Sequence, residues 1–409
     1  MAVDTKLKVW FHFKKLKLKL LLRRVAIFLS LAIAILALII IPQSLSQTVS
    51  PPSEIRGVWL TNVDSDVLFS SSNLNQAIQG LNFLRFNTLY PTIWQGGYTL
   101  YPSLVAKRVF GVELDPTPGL QNRDVLTEVI NLGHQQGLTV IPWFEFGFMA
   151  PAHSKLAQLH PDWITNRQDG SLIKKEGVEE RVWLNPFHPE VQQFILDLIT
   201  EIVKNYDIDG IQFDDHFGLP AEFGYDQYTV NLYQQENKGQ PPSKDFYETY
   251  WVRWRADKIN QFMEKVFKTV KDIKPNCIIS LSPNPLHFSL PAYLQDWFTW
   301  ERKGWIEEIV LQVYRQDLNR FITELERTEV QLAKAHIPVA IGILSGLKNR
   351  STPLNILEQQ VNQVRKRNFA GVSFFFYESL WKWAEEPEAA RQLAFQGFFP
   401  THVPRHKAK

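Results

Sequence analysis

Two adjacent carboxylates, Asp214 and Asp215, follow the largely apolar run Gly210-Ile-Gln-Phe213 and precede His216. Strand alternation places Gln212, Asp214 and His216 on one face and Phe213 and Asp215 on the other. Neighbouring carboxylates repel, so at least one of them must titrate abnormally or bind a cation. The plainer reading of such a pair is a helix cap or a loop ion pair. A further carboxylate, Glu145, lies in Trp143-Phe-Glu-Phe-Gly147. Among aromatics its ionisation is costly and its pKa rises, which is what a general acid needs near neutral pH. The plainer reading is an ion pair with an arginine such as Arg56. Other residues at predicted strand ends are Arg56, Trp59, Tyr90, Trp94, Asn284, Gln312, Tyr314, Tyr377 and Glu378. Each taken singly reads as packing. Together with Trp143 and His216 they describe a cleft of aromatics and hydrogen-bonding groups, suited to the apolar faces and hydroxyl edges of sugars.

Other chemistries have weaker support. Asp215 and His216 with His153, His160 or His188 could bind a divalent metal, but none of these residues carries the short His or Cys spacing of a zinc site. The reading therefore carries no cofactor and no metal. A serine nucleophile lacks its Gly-x-Ser-x-Gly elbow. Cys277 is the only cysteine and reads as a small core residue. A glycan-binding barrel without catalysis stays open, since it needs the aromatics and amides but not the carboxylates.

The elements that must position these groups are eight short apolar stretches: 57–61, 88–94, 139–146, 210–214, 278–282, 308–314, 339–344 and 371–377. Helical patterns alternate with them at 74–84, 124–136, 189–205, 250–270, 319–335 and 354–366. Continuous apolar strands each followed by a helix imply parallel pairing with both faces covered. No Gly-rich phosphate loop follows the first strand. The predicted fold is α/β, a (β/α)8 TIM barrel with long loops after strands three and four, at 151–188 and 217–249. Loops of that length are usually functional, and in this fold they build the active face.

The first 24 residues hold eight Lys or Arg against Asp4 alone. Removing them from the 44 basic and 42 acidic residues leaves 36 and 41, a net of −5. The body is thus mildly acidic, and nothing in it points to nucleic acid. An uncharged run follows at 25–41 and then a Ser/Pro-rich linker at 42–53. The pattern fits either a signal peptide or an uncleaved membrane anchor, with the body exported to the periplasm or cell surface. The barrel is expected over 54–400, with 401–409 as a tail.

Arg56-Gly-Val-Trp-Leu-Thr61, Tyr98-Thr-Leu-Tyr-Pro-Ser103, Trp143-Phe-Glu-Phe-Gly147, Asp209-Gly-Ile-Gln-Phe-Asp-Asp-His-Phe217, Gln295-Asp-Trp297 and Leu311-Gln-Val-Tyr314 together resemble the glycosyl hydrolase-like 10 domain. The resemblance runs from about Glu54 to Tyr377. It implies a bacterial cell-surface barrel related to amylase-type glycosidases, with some members linked to cutting peptidoglycan glycan strands. It also implies that Asp214, ending the strand-four motif, is the nucleophile. The sequence departs from the family at His216, where tyrosine is usual. It departs again at Ser282-Pro-Asn-Pro285, which lacks the acid glutamate of amylases. Glu145 is then the first candidate for the acid and Glu378 the second, with Asp215 tuning or positioning. The expected partner is an envelope polysaccharide.

Overall fold

The computed structural model describes residues 53–406. The leader and the linker up to residue 52 lie outside the described residues. Among those described, no helix is long and apolar enough to cross a membrane.

Eight parallel strands form the centre: β1 (Ile55–Leu60), β2 (Thr88–Pro91), β3 (Thr139–Val140 and Trp143–Phe144), β4 (Gly210–Asp214), β5 (Ile278–Ser282), β6 (Glu308–Gln312), β7 (Val339–Leu344) and β8 (Gly371–Phe375). Hydrogen-bonded neighbours run from the first half of β3 through β2, β1, β8, β7, β6, β5 and β4 to the second half of β3. The sheet therefore begins and ends on one strand, interrupted at Ile141-Pro142, where proline has no N–H to give. Around the interruption the Ile141 N–H still donates to Leu89 O and the Gln212 N–H to Pro142 O, so the ring is closed. This is the predicted TIM barrel.

Each strand is buried on both faces, which is why it reads as an apolar run. Outward residues such as Val58, Leu89, Ile211, Phe213, Leu281 and Ile341 belong to one large core shared with the helices. The helix Pro189–Asn205 shows how the outer layer forms: proline occupies its first turn, and Val191, Phe194, Ile195, Leu198, Ile199, Ile202 and Val203 bury one stripe. The single helix expected at 319–335 is two, Leu318–Leu325 and Thr328–His336. Arg327 between them is extended, and the Gln331 amide donates to the Leu325 carbonyl, ending the first helix.

The two long loops are folded rather than slack. The first carries a three-stranded antiparallel sheet of Met149–Pro151, Lys174–Glu176 and Glu179–Trp183. The second carries the helix Gln227–Glu236. Asp226 caps that helix and accepts from Thr165 Oγ1 at 2.6 Å and Asn185 Nδ2 at 2.9 Å, tying the loops together. Buried Arg255 donates to the carbonyls of Ala221, Phe223 and Phe246.

Residues 401–406, which sequence alone sets apart as a tail, close the floor of the barrel. The Glu54 N–H donates to Pro404 O, and Arg405 pairs with the fully buried Glu308 of β6. Glu308 Oε1 also accepts from Tyr90 Oη at 3.1 Å and Ser280 Oγ at 3.0 Å. Ser280 in turn accepts from Gln212 Nε2 at 3.0 Å, and Gln212 Oε1 from Trp59 Nε1 at 2.7 Å. The lumen is thus filled by a satisfied polar column rising from Arg405 to the layer beneath the mouth.

Candidate active site

β3 and β4 are in register at Gln212 with Trp143 and Phe213 with Phe144. Continuing that register one step sets Asp214 beside Glu145 at the C-terminal mouth. Gly147 lets the β3 segment press against β4: its φ is +47°, and a Cβ there would lie 2.4 Å from the His216 carbonyl oxygen. The Phe148 N–H then donates to that carbonyl at 3.0 Å. His216 Nδ1 closes the arrangement, 3.1 Å from the Glu145 carbonyl and 3.5 Å from Asp214 Oδ1.

The Asp214 side chain is buried. Its Oδ2 accepts from Trp143 Nε1 at 3.1 Å and its Oδ1 from the His216 N–H at 3.0 Å. Burial raises its carboxyl to about 6, against the pull of His216 and with Asp215 adding to the rise. Glu145 Oε2 is buried without a hydrogen-bond partner among the described residues. Burial pushes this carboxyl up to about 8, helped by the Asp214 charge and opposed by Thr92, His216 and Arg181. Among the described residues no arginine pairs with it: Arg56 is committed to Glu54 at 2.8 Å. Of the two, Glu145 is therefore the carboxyl that holds its proton to the higher pH. Burial works against a charge on His216, but Asp214 and Asp215 outweigh it and hold the imidazole well above the usual histidine range.

Asp215 departs from the alternation expected of a strand. β4 ends at Asp214, and the Phe217 N–H turns back to the Asp214 carbonyl at 3.1 Å. Asp215 is thereby turned toward β5 and β6, where Asn284 Nδ2 donates to its Oδ2 at 2.8 Å and Gln312 Nε2 to its Oδ1 at 3.3 Å. Tyr314 faces the same carboxylates: burial, then Asp215, Asp214 and Glu145, raise its phenol well above the usual range. Asp214, Asp215 and His216 present potential metal-ligating atoms within 4.8 Å of one another, without His153, His160 or His188. The Asp214 and Asp215 carboxylate oxygens and His216 Nδ1 are engaged in the contacts above.

A family model described as Glycosyl hydrolase-like 10 matches residues 54–364. The chain belongs to this family. Glycosyl hydrolase DigH of Escherichia coli (strain K12) is 27% identical over 324 residues, 67% of this chain and 68% of its own length. Glycosyl hydrolase YngK of Bacillus subtilis (strain 168) is 24% identical over 259 residues, 56% of this chain and 45% of its own. In fold, the chain is similar to the PgaB (BpsB) glycoside hydrolase domain from Bordetella bronchiseptica, with a TM-score of 0.58 at 15% identity over 79% of this chain and 94% of that one. The catalytic domain of beta-amylase from Paenibacillus polymyxa gives 0.58 at 8% identity, over 86% and 98%.

In this member of the family the mouth gathers Glu145, Asp214, Asp215, His216, Trp143, Asn284, Gln312 and Tyr314, all expected from sequence. Six other expected residues are placed elsewhere. Arg56, second in β1, is at the barrel floor, donating to Glu54 and to the carbonyls of Arg85 and Thr401. Tyr90 is bound to Glu308 in the lumen, and Trp59 stacks on it at 5.3 Å in the layer beneath the mouth. Trp94 follows the end of β2 and turns outward, packing on Phe144 and Phe194 with its indole N–H on the Gly147 carbonyl. Tyr377 packs on Trp381 in the outer core. Glu378 accepts from Ser65 Oγ and the Asp66 N–H, which spends it on holding the loop after β1. The loop aromatics Trp163, Trp183 and Phe223 are likewise buried in the core.

Three groups at the mouth are absent from the sequence expectation. Phe375, ending β8, stacks on Tyr314 at 5.6 Å and meets Trp143 edge-on at 6.1 Å. Tyr293, from the helix Leu286–Tyr293 after β5, has its phenol raised by burial and by Asp215 and Glu176. Glu176, on the loop hairpin, approaches His216 Nε2 to 4.0 Å. Phe375 lies inside the strand expected at 371–377, which the structure ends there; the other two lie in segments whose path no periodicity gives.

Proposed function

We propose that the protein hydrolyses O-glycosidic bonds in a bacterial envelope polysaccharide, with peptidoglycan glycan strands as the first candidate substrate. The observation that carries this reading is the placing of Glu145, with its Oε2 buried and unpartnered among the described residues, beside buried Asp214 at the mouth, where burial raises both carboxyls and Glu145 the more. Glu145 gives its proton to the departing glycosidic oxygen as the bond to the anomeric carbon breaks. Asp214 acts on that carbon as nucleophile or activates the water that does, and water supplies the final hydroxyl and proton. Asp215, held by Asn284 and Gln312, keeps the negative field facing the developing positive charge. The sugar rings lie against Trp143, Tyr314 and Phe375. The basic leader and the apolar run after it support delivery of the barrel to the envelope, as a cleaved or an anchored form.

The test is incubation of the protein with peptide-free glycan strands and mass analysis of the products. New reducing ends are expected. Strands that bind but stay intact would favour the glycan-binding barrel instead.

The rate should be bell-shaped in pH, falling below about 6 as Asp214 takes up a proton and above about 8 as Glu145 loses one. Glu145→Gln should lose the alkaline limb and roughly 10²–10⁴-fold in kcat. The same substitution should stabilise the fold. Below the ordinary carboxyl value of 4.5, Glu145 is neutral in both the folded and unfolded states and costs nothing. Between 4.5 and about 8 only the unfolded chain ionises there, so stability falls as pH rises through that window. Glu145→Gln should therefore unfold later than the parent at pH 8, by on the order of 1–3 kcal/mol, and show no such gain at pH 4. Denaturant titrations at the two pH values measure this.

Trp143→Phe removes the indole N–H from Asp214 Oδ2 while keeping an aromatic surface. A hydrogen bond to a charged group contributes roughly 1.5–3 kcal/mol. kcat should fall by about 10–100-fold with the chain still folded, read from initial rates and circular dichroism.

A further inference from the structure

Across the mouth from β4, the loops after β1, β7 and β8 line a pocket of about 340 Å³. Trp383 forms one wall. Its indole N–H donates to the Asp64 carbonyl at 3.2 Å, and its ring packs against the lumen cluster of Trp59, Tyr90, Trp143 and Phe376 with their aliphatic neighbours. That cluster includes Trp143, and Phe375 packs against it too. Phe375 also meets Trp143, whose indole N–H reaches Asp214. Asn62, on another wall, holds its Oδ1 buried with no donor among the described residues. A buried amide oxygen left unpaired costs free energy and calls for a donor. The charged groups at the rim are paired off: Lys348 with Asp64 at 3.3 Å and Lys382 with Asp66 at 2.6 Å.

We propose that this pocket is a distal sugar subsite, which takes a neutral hexose unit of the same polysaccharide several links from the bond that is cut. The proposal rests on the glycosidase reading above. Trp383 offers the platform for the sugar ring, and a hydroxyl or amide N–H of the sugar donates to Asn62 Oδ1. The paired charges leave no excess for a uronate or phosphate, which makes the unit neutral. Occupying both the pocket and the carboxylate site requires a chain that spans the mouth, so the subsite makes the enzyme prefer long strands.

The experiment measures binding and cleavage of peptide-free peptidoglycan strands and of the disaccharide made from them. Binding is read in the Asp214→Asn background, where strands stay intact, with and without Trp383→Ala. Cleavage is read in the otherwise unaltered chain with the same substitution. Losing one ring-stacking contact with its enforced hydrogen bond should weaken long-strand binding on the order of tenfold. The cleavage preference for long strands should fall in step. Disaccharide binding should not change, and Trp383→Tyr should restore the long-strand preference. Cleavage by the parent that is equally length-dependent in Trp383→Ala overturns the subsite alone, as does an equal loss on strands and disaccharide. Binding that depends on Trp383 in a parent that cuts nothing overturns the hydrolytic reading alone. Absence of strand binding overturns both.

Discussion

Asp214→Asn should abolish release of reducing ends, with a loss on the order of 10⁴-fold or more in kcat, and leave the barrel folded. Asparagine has nearly the shape of aspartate, and its amide oxygen can still accept from Trp143 Nε1 or the His216 N–H, the two donors that hold Asp214. What it cannot do is attack the anomeric carbon or take a proton from water. The substitution also removes a carboxyl whose ionisation burial opposes, so the variant should be no less stable than the parent at pH 7. Activity and unfolding measured on the same preparation separate the two effects. Activity retained within tenfold would take away the role assigned to Asp214.

The second large effect is on stability. Arg405→Ala should destabilise the fold by about 3–5 kcal/mol, because it strands the Glu308 carboxylate without its cation. Glu308 is fully buried, and Arg405 is nearly so. Tyr90 and Ser280 would still donate to the carboxylate, but neither brings a positive charge. Arg405→Met combined with Glu308→Gln should recover most of the loss, since replacing both partners of a buried pair removes the stranded charge. Denaturant titration of the two proteins tests this. A single variant as stable as the parent would show that 401–406 is not part of the barrel floor.

The barrel is legible because parallel strands buried on both faces must be apolar throughout, and all eight appear as such runs. The proposed catalytic pair is legible for a related reason: Asp214 and Glu145 interrupt or end apolar strands, where a charge has no packing role. Depth along a strand is harder to read. Arg56 and Trp59 differ by three residues, yet at roughly 3.3 Å of rise per residue that separates the floor from the layer beneath the mouth. Trp94 shows a further limit, since the two residues between it and the end of β2 turn its ring from the lumen to the outer core. Glu378 looks like a strand-end acid but is consumed by Ser65 and Asp66, partners more than 300 residues away that no local pattern couples to it. Glu176 and Trp383 enter on loops and Tyr293 at the end of the helix after β5, and their positions come from how those segments are pinned.

Catalysis as proposed requires Glu145 to keep its proton at neutral pH while Asp214 beside it is ionised. Infrared difference spectra of the protein against Glu145→Gln, taken across a pH titration, read that proton without any substrate. The expected result is a protonated carboxyl band present at pH 7 that disappears with a midpoint near 8. A Glu145 carboxyl already ionised at pH 7, with a midpoint near the ordinary 4.5, contradicts it.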